Sequence, residues 1–184
     1  MNDFAEPLPT IGDDYADDTL RYLTADDGAD IQRLCERCAD YFDLITGLPP
    51  GSAEAQSLFI ALPEGSGYED KALLGVFMAP DDTLIGVIDI VRDAPEPGEW
   101  WLGALLLDPA HRNHGLGARL VQTMEAWMAA LGAQSVRVSV LEQNTRALAF
   151  WQRHGYAEVM REPPQLLGVK ESVPIILRRP LNEA

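Results

Sequence analysis

The chain has 184 residues, of which 47% are hydrophobic and 23% charged, and its formal net charge is -15. These values are typical of a globular protein with room for one domain and a sizeable core. The acidic excess argues against nucleic-acid binding, which requires a basic footprint. No apolar run approaches bilayer length and the N-terminal segment is unlike a signal peptide, so we expect a cytoplasmic protein without a membrane partner.

The first elements follow an acidic segment. Residues 1–18 hold six acids and no Lys or Arg, which predicts a flexible tail before a single domain over residues 19–184. A strand is expected over 19–23, and the acids after Thr24 indicate a helix start that leads into an apolar helix over 31–45. The Gly and Pro residues at 47–51 end this helix, and Ser52 is expected to cap a second one over 53–62.

Cys35 and Cys38 form a C-x-x-C pair. This spacing is compatible with a redox or zinc site, but no second Cys pair or His pair completes one. Both cysteines fall on the apolar stripe of the predicted helix over 31–45, so we expect buried, reduced thiols.

The middle and end of the chain alternate between strands and helices. Residues 71–79 and 84–92 predict a hairpin, and residues 99–107 a further strand. Apolar residues at helical spacing between Leu116 and Leu131 predict a long helix that Gly132 ends. Strands are then expected over 135–141, 156–160 and 174–178, with a short helix from Asn144 to near Gly155. The succession indicates a mixed α/β fold.

The most informative segment lies between Leu105 and Leu120, which reads LLLDPAHRNHGLGARL. A strand-like run is followed by Gly115 and Gly117 at the start of a helix, where unpaired amides and the helix dipole bind phosphate or pyrophosphate. The alternative is a tight connection without a ligand. The Rossmann and P-loop patterns do not match, since neither the third glycine nor Gly-Lys-Ser/Thr is present.

Two blocks of sequence resemble a known family. Arg112-x-x-Gly115-x-Gly117, preceded by Leu105 to Pro109, is similar to the acetyl-CoA signature of the GNAT N-acetyltransferases. Asn144-x-x-Ala147-x-x-Phe150-Trp151-x-x-x-Gly155-Tyr156 resembles the downstream block of that family. The resemblance implies a mixed, mostly antiparallel sheet of about seven strands, with strands 4 and 5 splayed and about four flanking helices.

The resemblance also implies where acetyl-CoA binds. Its pyrophosphate would lie on the backbone of Asn113, His114, Gly115, Leu116, Gly117 and Ala118, and its pantetheine arm along Leu105, Leu106 and Leu107. The Leu106 amide would be the oxyanion donor. Arg112, Asn144 and Trp151 are the remaining cofactor candidates. Arg112 and His114 are alternatively solvated loop residues, and Asn144 is alternatively an N-cap. No metal is expected.

The acid–base residues are less well matched. Glu99, between a Pro-Gly turn and two tryptophans, is the candidate general base, with an ordinary exposed carboxylate as the alternative. Asp89 and Glu142 are weaker candidates. Ser139 stands at the position where some members of the family have a Glu that acts as the base. Trp151 stands at the position where the family usually has a Tyr that acts as the acid, and an indole cannot supply a proton in its place.

These residues predict an N-acetyltransferase that passes an acetyl group directly from acetyl-CoA to a primary amine of a small molecule or peptide in a ternary complex. Two alternatives remain open, namely a module that binds or senses acyl-CoA without turnover, and an acyltransferase for another acyl-CoA. The resemblance is also compatible with a homodimer.

Overall fold

One mixed sheet organises the chain, and the computed structural model describes residues 7–12 and 18–181. The sheet has seven strands in the spatial order β1-β2-β3-β4-β5-β9-β6. Strands β7 and β8 form a separate hairpin. The strands are β1 Thr19–Tyr22, β2 Lys71–Met78, β3 Thr83–Val91, β4 Glu99–Leu107, β5 Ser135–Leu141, β6 Ala157–Arg161, β7 Gln165–Leu167, β8 Lys170–Ser172 and β9 Pro174–Pro180.

Five α-helices cover the sheet. They are α1 Gly28–Arg37, α2 Ala39–Thr46, α3 Glu54–Ile60, α4 Leu116–Ala130 and α5 Thr145–Arg153. The main hydrophobic cluster includes Leu120, Met124 and Met128 of α4, all buried. A second cluster joins α1 to the sheet and includes Ile31 and Leu34. Each such fully buried side chain contributes roughly 1.5–3 kcal/mol, so the sheet is held between two apolar layers.

The sheet opens between its two parallel strands. All neighbouring strands are antiparallel except β4 and β5, which α4 connects. Their pairing runs from Glu99 opposite Ser135 to Leu102 opposite Val138 and then stops. The remaining residues of β4, from Gly103 to Leu107, therefore have no partner on the β5 side. This confirms the mixed, mostly antiparallel fold with splayed strands 4 and 5.

A β-bulge lies at the same point. Asp89 of β3 pairs with Ala104, whereas Ile90 pairs with Leu102, so Gly103 is an extra residue on β4. A Cβ atom at position 103 would lie 2.9 Å from Oδ2 of Asp89. An added side chain would therefore press on the Asp89 carboxylate, and glycine is the residue that leaves this side chain undisturbed.

The predicted elements around the glycine loop are confirmed, and differences occur elsewhere. The helix expected over 31–45 is two helices, because the chain turns at Cys38, whose φ and ψ are -89° and 26°. Ser52 does not cap α3; instead the Glu54 carboxylate accepts the Gly51 N–H at 2.8 Å. The hairpin of β7 and β8 was not predicted, and the described residues form five α-helices where about four were expected.

The N-terminal segment is only partly described. Residues 1–6 and 13–17 of the predicted tail lie outside the described residues. Between them, Ile11 is 1% exposed within the main core, and Leu8 packs against that core. This part of the segment therefore packs against the core through the apolar side chain of Ile11. The expectation of a tail relied on the number of acidic residues, which takes no account of Ile11.

Candidate active site

A loop between β4 and α4 forms the first part of the site. Asp108 starts a short 3-10 turn over Pro109–His111, and its Oδ1 accepts the Ala110 N–H at 2.9 Å. Asn113 and Gly115 then adopt left-handed φ angles of 67° and 88°. Alternation of left-handed and right-handed backbone turns successive amides to one side, and such a concave row of N–H groups binds anions.

The amides that follow are free to bind a ligand. Gly115 is the N-cap of α4, and no side chain of the described residues caps this helix end. The first bond from the helix to its cap is Arg119 N–H to the Gly115 carbonyl, at 3.0 Å. Across the described part of the chain, no acceptor takes the N–H groups of Gly115, Leu116, Gly117 or Ala118. The helix dipole adds positive potential at the same point.

Gly117 is not required by the folded chain itself. A Cβ atom there would lie 3.5 Å from Cδ1 of Leu107 and 3.7 Å from the ring of Phe150, which are ordinary contacts. The free protein would therefore accept alanine at this position. The absent side chain instead leaves the amide row open to close approach from outside.

Two arginines border this loop, and the sequence identified only one of them. Arg112 Nε donates to the Leu107 carbonyl at 2.7 Å, and Arg112 Nη1 donates to Oδ2 of Asp40 on α2 at 2.5 Å. These contacts tie the loop to α2. Arg146, on the first turn of α5, donates to Oδ1 of Asn113. Arg146 thus reaches the loop through Asn113, a relation that only the fold reveals. His114 is exposed on the loop.

The open edge of β4 presents particular amides. Asp108 N–H donates to the Ile85 carbonyl of β3 at 2.8 Å. In an antiparallel ladder this orientation repeats at every second residue, so the Leu106 amide also points to β3. The amides of Leu105 and Leu107 then face the open side. This corrects the expectation for Leu106, because a donor already turned to β3 cannot meet a ligand between β4 and β5.

Helix α5 closes the other side of the opening. Asn144 Oδ1 accepts the Ala147 N–H at 3.1 Å, so Asn144 is an N-cap. Trp151 is 6% exposed and its ring packs 4.9 Å from that of Tyr156 within the main core. This burial does not support the predicted cofactor contact for Trp151. The half-buried Phe150 ring lies nearer the loop, beside Gly117.

The structure does not bring Glu99 to the loop. Glu99 begins β4, whereas the loop follows the other end of this nine-residue strand, about 26 Å away at 3.3 Å per residue. Its Oε1 accepts from Nε of Arg137, and its Oε2 lies 3.5 Å from Nε of Arg178. The carboxylate is 7% exposed. This arrangement is a buried ion-pair cluster at the base of the sheet.

Cys35 and Cys38 are buried free thiols, as the sequence predicted. Burial raises the pKa of Cys35 to about 12, with the neighbouring Cys38 adding to the shift. Cys38 Sγ donates to the Leu107 carbonyl at 3.3 Å. The described residues contain no group of three or more His, Cys, Asp or Glu side chains able to hold a metal ion. None of the described helices is long and apolar enough to cross a membrane.

Comparison with known proteins agrees with this geometry. A solved acetyltransferase from Thermus thermophilus superposes with a TM-score of 0.71 at 22% identity, covering 89% of this chain and 96% of that one. An N-acetyltransferase from Staphylococcus aureus superposes with a TM-score of 0.63 at 12% identity, covering 90% of this chain and 99% of that one. The ribosomal-protein-S18-alanine N-acetyltransferase from Escherichia coli superposes with a TM-score of 0.65 at 16% identity, covering 91% of this chain and 96% of that one. These likenesses establish the fold.

Sequence comparison identifies the family. A curated rice protein described as acetyl transferase GW6a is 38% identical over 65 residues, which are 35% of this chain. The match spans only 15% of the rice protein's length. The model of the acetyltransferase (GNAT) family matches residues 36–156, which include β4, the glycine loop, α4 and α5. The chain therefore belongs to the GNAT acetyltransferase family.

Proposed function

We propose that the protein is an acetyl-CoA-dependent N-acetyltransferase, which passes the acetyl group directly to a primary amine of a small molecule or peptide. The observation that carries the proposal is the row of unbonded amides from Gly115 to Ala118 beside the open edge of β4. The first feature suits a diphosphate, and the second suits an extended arm that carries amide groups. Pantetheine diphosphate has both parts.

In this proposal the diphosphate accepts hydrogen bonds from the amides of Asn113 to Ala118. Arg146, bonded to Asn113, supplies a nearby positive charge. Arg112 stays a candidate for the same role, although two of its N–H groups already bind protein acceptors. The pantetheine arm lies along β4 from Leu105 to Leu107.

The thioester carbonyl then needs a donor at the open edge of β4. We assign this donor to the Leu105 amide, in place of Leu106, because the ladder turns Leu105 toward the opening. A fixed amide aimed at the developing oxyanion is typically worth about 2.7–4 kcal/mol of the barrier. The role needs only backbone, which explains why three consecutive leucines are compatible with catalysis.

The leaving thiolate does not require a strong acid. A thiol with a pKa of about 8.5 is a fair leaving group near neutral pH. Trp151, in the position of the family's usual Tyr acid, is buried in the core. Solvent at the open edge of β4 is therefore the proposed proton source for the thiolate.

The acceptor is proposed as an amine. The E. coli neighbour acts on an alanine of a ribosomal protein, as its description states. The net charge of -15 favours the approach of cationic amines over that of anionic acceptors.

The second candidate function is an acyl-CoA-binding module without turnover. The buried Trp151 in the Tyr position and the exposed Ser139 on β5 favour this alternative. A preference for a longer acyl chain is a further option, which comparison of acetyl-CoA with longer acyl-CoAs tests.

One experiment separates these functions. The full chain is titrated with acetyl-CoA by calorimetry, and thiol release is then followed with butylamine, phenethylamine, spermidine, free amino acids and short peptides. The proposal predicts saturable binding and release of CoA that depends on at least one amine. Saturable binding without amine-dependent release favours the binding module, and the absence of binding contradicts both.

A further inference from the structure

Asp89 lies at the point where the sheet opens. It pairs with Ala104, which follows the bulge residue Gly103 on β4. The last residue pair between β4 and β5, Leu102 with Val138, lies just before this bulge. Its side chain shares a face with its ladder partner Leu73 and with Val87, both in the cluster packed by α1. This is the face opposite α4. Asp89 is 6% exposed.

One oxygen of this carboxylate is available. Oδ1 of Asp89 accepts from Nζ of Lys71 at 2.5 Å, and Lys71 also donates to the Ala61 carbonyl at the end of α3. Among the described residues, none donates a hydrogen bond to Oδ2. Oδ2 is not among the fully enclosed side-chain atoms of the described residues that lack a partner, so this oxygen keeps some contact with the surface.

The free oxygen faces the bulge. The position that a Cβ atom would take at Gly103 lies 2.9 Å from Oδ2 of Asp89 and 3.2 Å from Nε1 of Trp101. Gly103 itself is exposed. The missing side chain therefore leaves a passage from the surface to Oδ2, about two residues along β4 from the Leu105 amide, or roughly 7 Å.

The surroundings of Asp89 suit a proton acceptor. Burial raises the pKa of Asp89, and the ammonium of Lys71 opposes this shift. Lys71 from β2 is the one ionisable partner that the described residues bring against Asp89. Trp101 from β4 and the Ala61 carbonyl from the end of α3 complete its neighbourhood. A base with a raised pKa is better matched to proton transfer near neutral pH.

We propose that Asp89 is the catalytic base, which takes the proton that the acceptor ammonium must lose, through the opening at Gly103. The inference rests on the function proposed above. The proton moves from the ammonium nitrogen to Oδ2, directly or through one water. The nitrogen lone pair then forms the C–N bond to the thioester carbon, and the C–S bond breaks with its electron pair leaving on the CoA thiolate. The second proton that the nitrogen loses goes to solvent, which also protonates the thiolate.

The test compares Asp89→Asn with wild type in the full chain. Asparagine keeps the volume and the acceptor for Lys71 but cannot take a proton. Glu125→Gln is the matched control, because Glu125 lies on α4 at the opposite face of the sheet, is 7% exposed, and accepts a hydrogen bond from Arg179 of β9. Acetyl-CoA affinity is measured by calorimetry, and CoA release with the best amine of the panel is measured from pH 5 to pH 10.

We expect Asp89→Asn to bind acetyl-CoA within twofold of wild type and to lose about 10²–10⁴-fold in kcat/KM at pH 7. The wild-type rate should level off above the pKa of Asp89. The variant's rate should keep rising about tenfold per pH unit, because only the free amine reacts. A variant with near wild-type rate and an unchanged pH profile overturns the inference, as does an equal loss in Glu125→Gln.

Gly103→Ala retains both Asp89 and Lys71 and places a methyl group against Oδ2, so it tests the inference even where Asp89→Asn fails to fold. We expect at least a tenfold loss of kcat/KM with unchanged acetyl-CoA affinity, and full activity in this variant overturns the inference. Failure of the proposed function is distinguished by the wild type. If wild type binds acetyl-CoA without releasing CoA to any amine, the proposed function and the role of Asp89 both fall.

Discussion

Replacing Gly117 by glutamate tests the cofactor site separately from the fold. A Cβ atom at this position meets Leu107 and Phe150 only at 3.5 Å and 3.7 Å, and the residue lies in the first turn of α4. Removing a glycine from a helix gains roughly 0.5–1 kcal/mol. An acid in the first turn gains about 0.3–1 kcal/mol more. The variant should therefore unfold no earlier than wild type.

The same change should remove CoA binding. The introduced carboxylate repels the diphosphate and competes for the amides of Gly115 to Ala118. Hydrogen bonds to a charged group contribute about 1.5–3 kcal/mol each, so the loss of three costs at least about 4 kcal/mol. At 1.4 kcal/mol for each factor of ten, this raises Kd by about 10³.

The assay combines calorimetric titration with acetyl-CoA and thermal unfolding followed by circular dichroism. Gly117→Ala is the matched control, because it adds the Cβ atom without the charge, and its Kd should rise no more than about tenfold. If Gly117→Glu keeps an affinity within tenfold of wild type while folded, the diphosphate does not lie on these amides and the reasoning is refuted.

Two further predictions concern buried groups away from the loop. Glu99→Gln should lower the free energy of unfolding by about 1–3 kcal/mol, because an amide N–H₂ then faces Arg137 and Arg178. The rate of acetyl transfer per folded molecule should stay nearly constant. A hundredfold loss of turnover with an unchanged melting temperature would restore Glu99 as the base. Cys35 and Cys38 should resist alkylation by iodoacetamide at pH 8, because burial raises the pKa values of both thiols. Both should be labelled once the protein is unfolded in guanidinium. Rapid labelling of the folded protein would contradict their burial.

The sequence predicted the central part of the fold because its periodicity changes sharply there. A buried run ends at Leu107, and a helical pattern begins at Leu116, so the bounds of β4 and α4 were read directly. The turn at Cys38 carries no Pro or Gly, and therefore a continuous apolar stripe concealed two helices.

The hairpin of β7 and β8 was missed for a different reason. Its strands have three residues each, and Leu166 and Val169 are 74% and 66% exposed, so no apolar pattern identifies them. Contacts with α2 hold it in place, since Val169 N–H bonds to the Thr46 carbonyl and Lys170 Nζ donates to the Asp43 carbonyl at 2.5 Å. Such tertiary contacts override weak local propensity.

The candidate site was likewise predicted only in part from the sequence. The glycine loop was predicted because phosphate binding by backbone leaves a local pattern of glycines. The orientation of the Leu106 amide and the proximity of Lys71, Asp89 and Gly103 depend on strand register. Register joins residues that are far apart in sequence, so no local pattern could reveal either feature.

In the proposed complex with acetyl-CoA, backbone amides at the start of α4 hold a diphosphate beside the open edge of β4. Calorimetric titration of the full wild-type chain with CoA, and in parallel with pantetheine, measures this most directly. We predict saturable binding of one CoA per chain, with pantetheine at least about 10³-fold weaker because it lacks the diphosphate and the nucleotide attached to it. Absence of heat with CoA, or equal affinity for pantetheine, would contradict the claim.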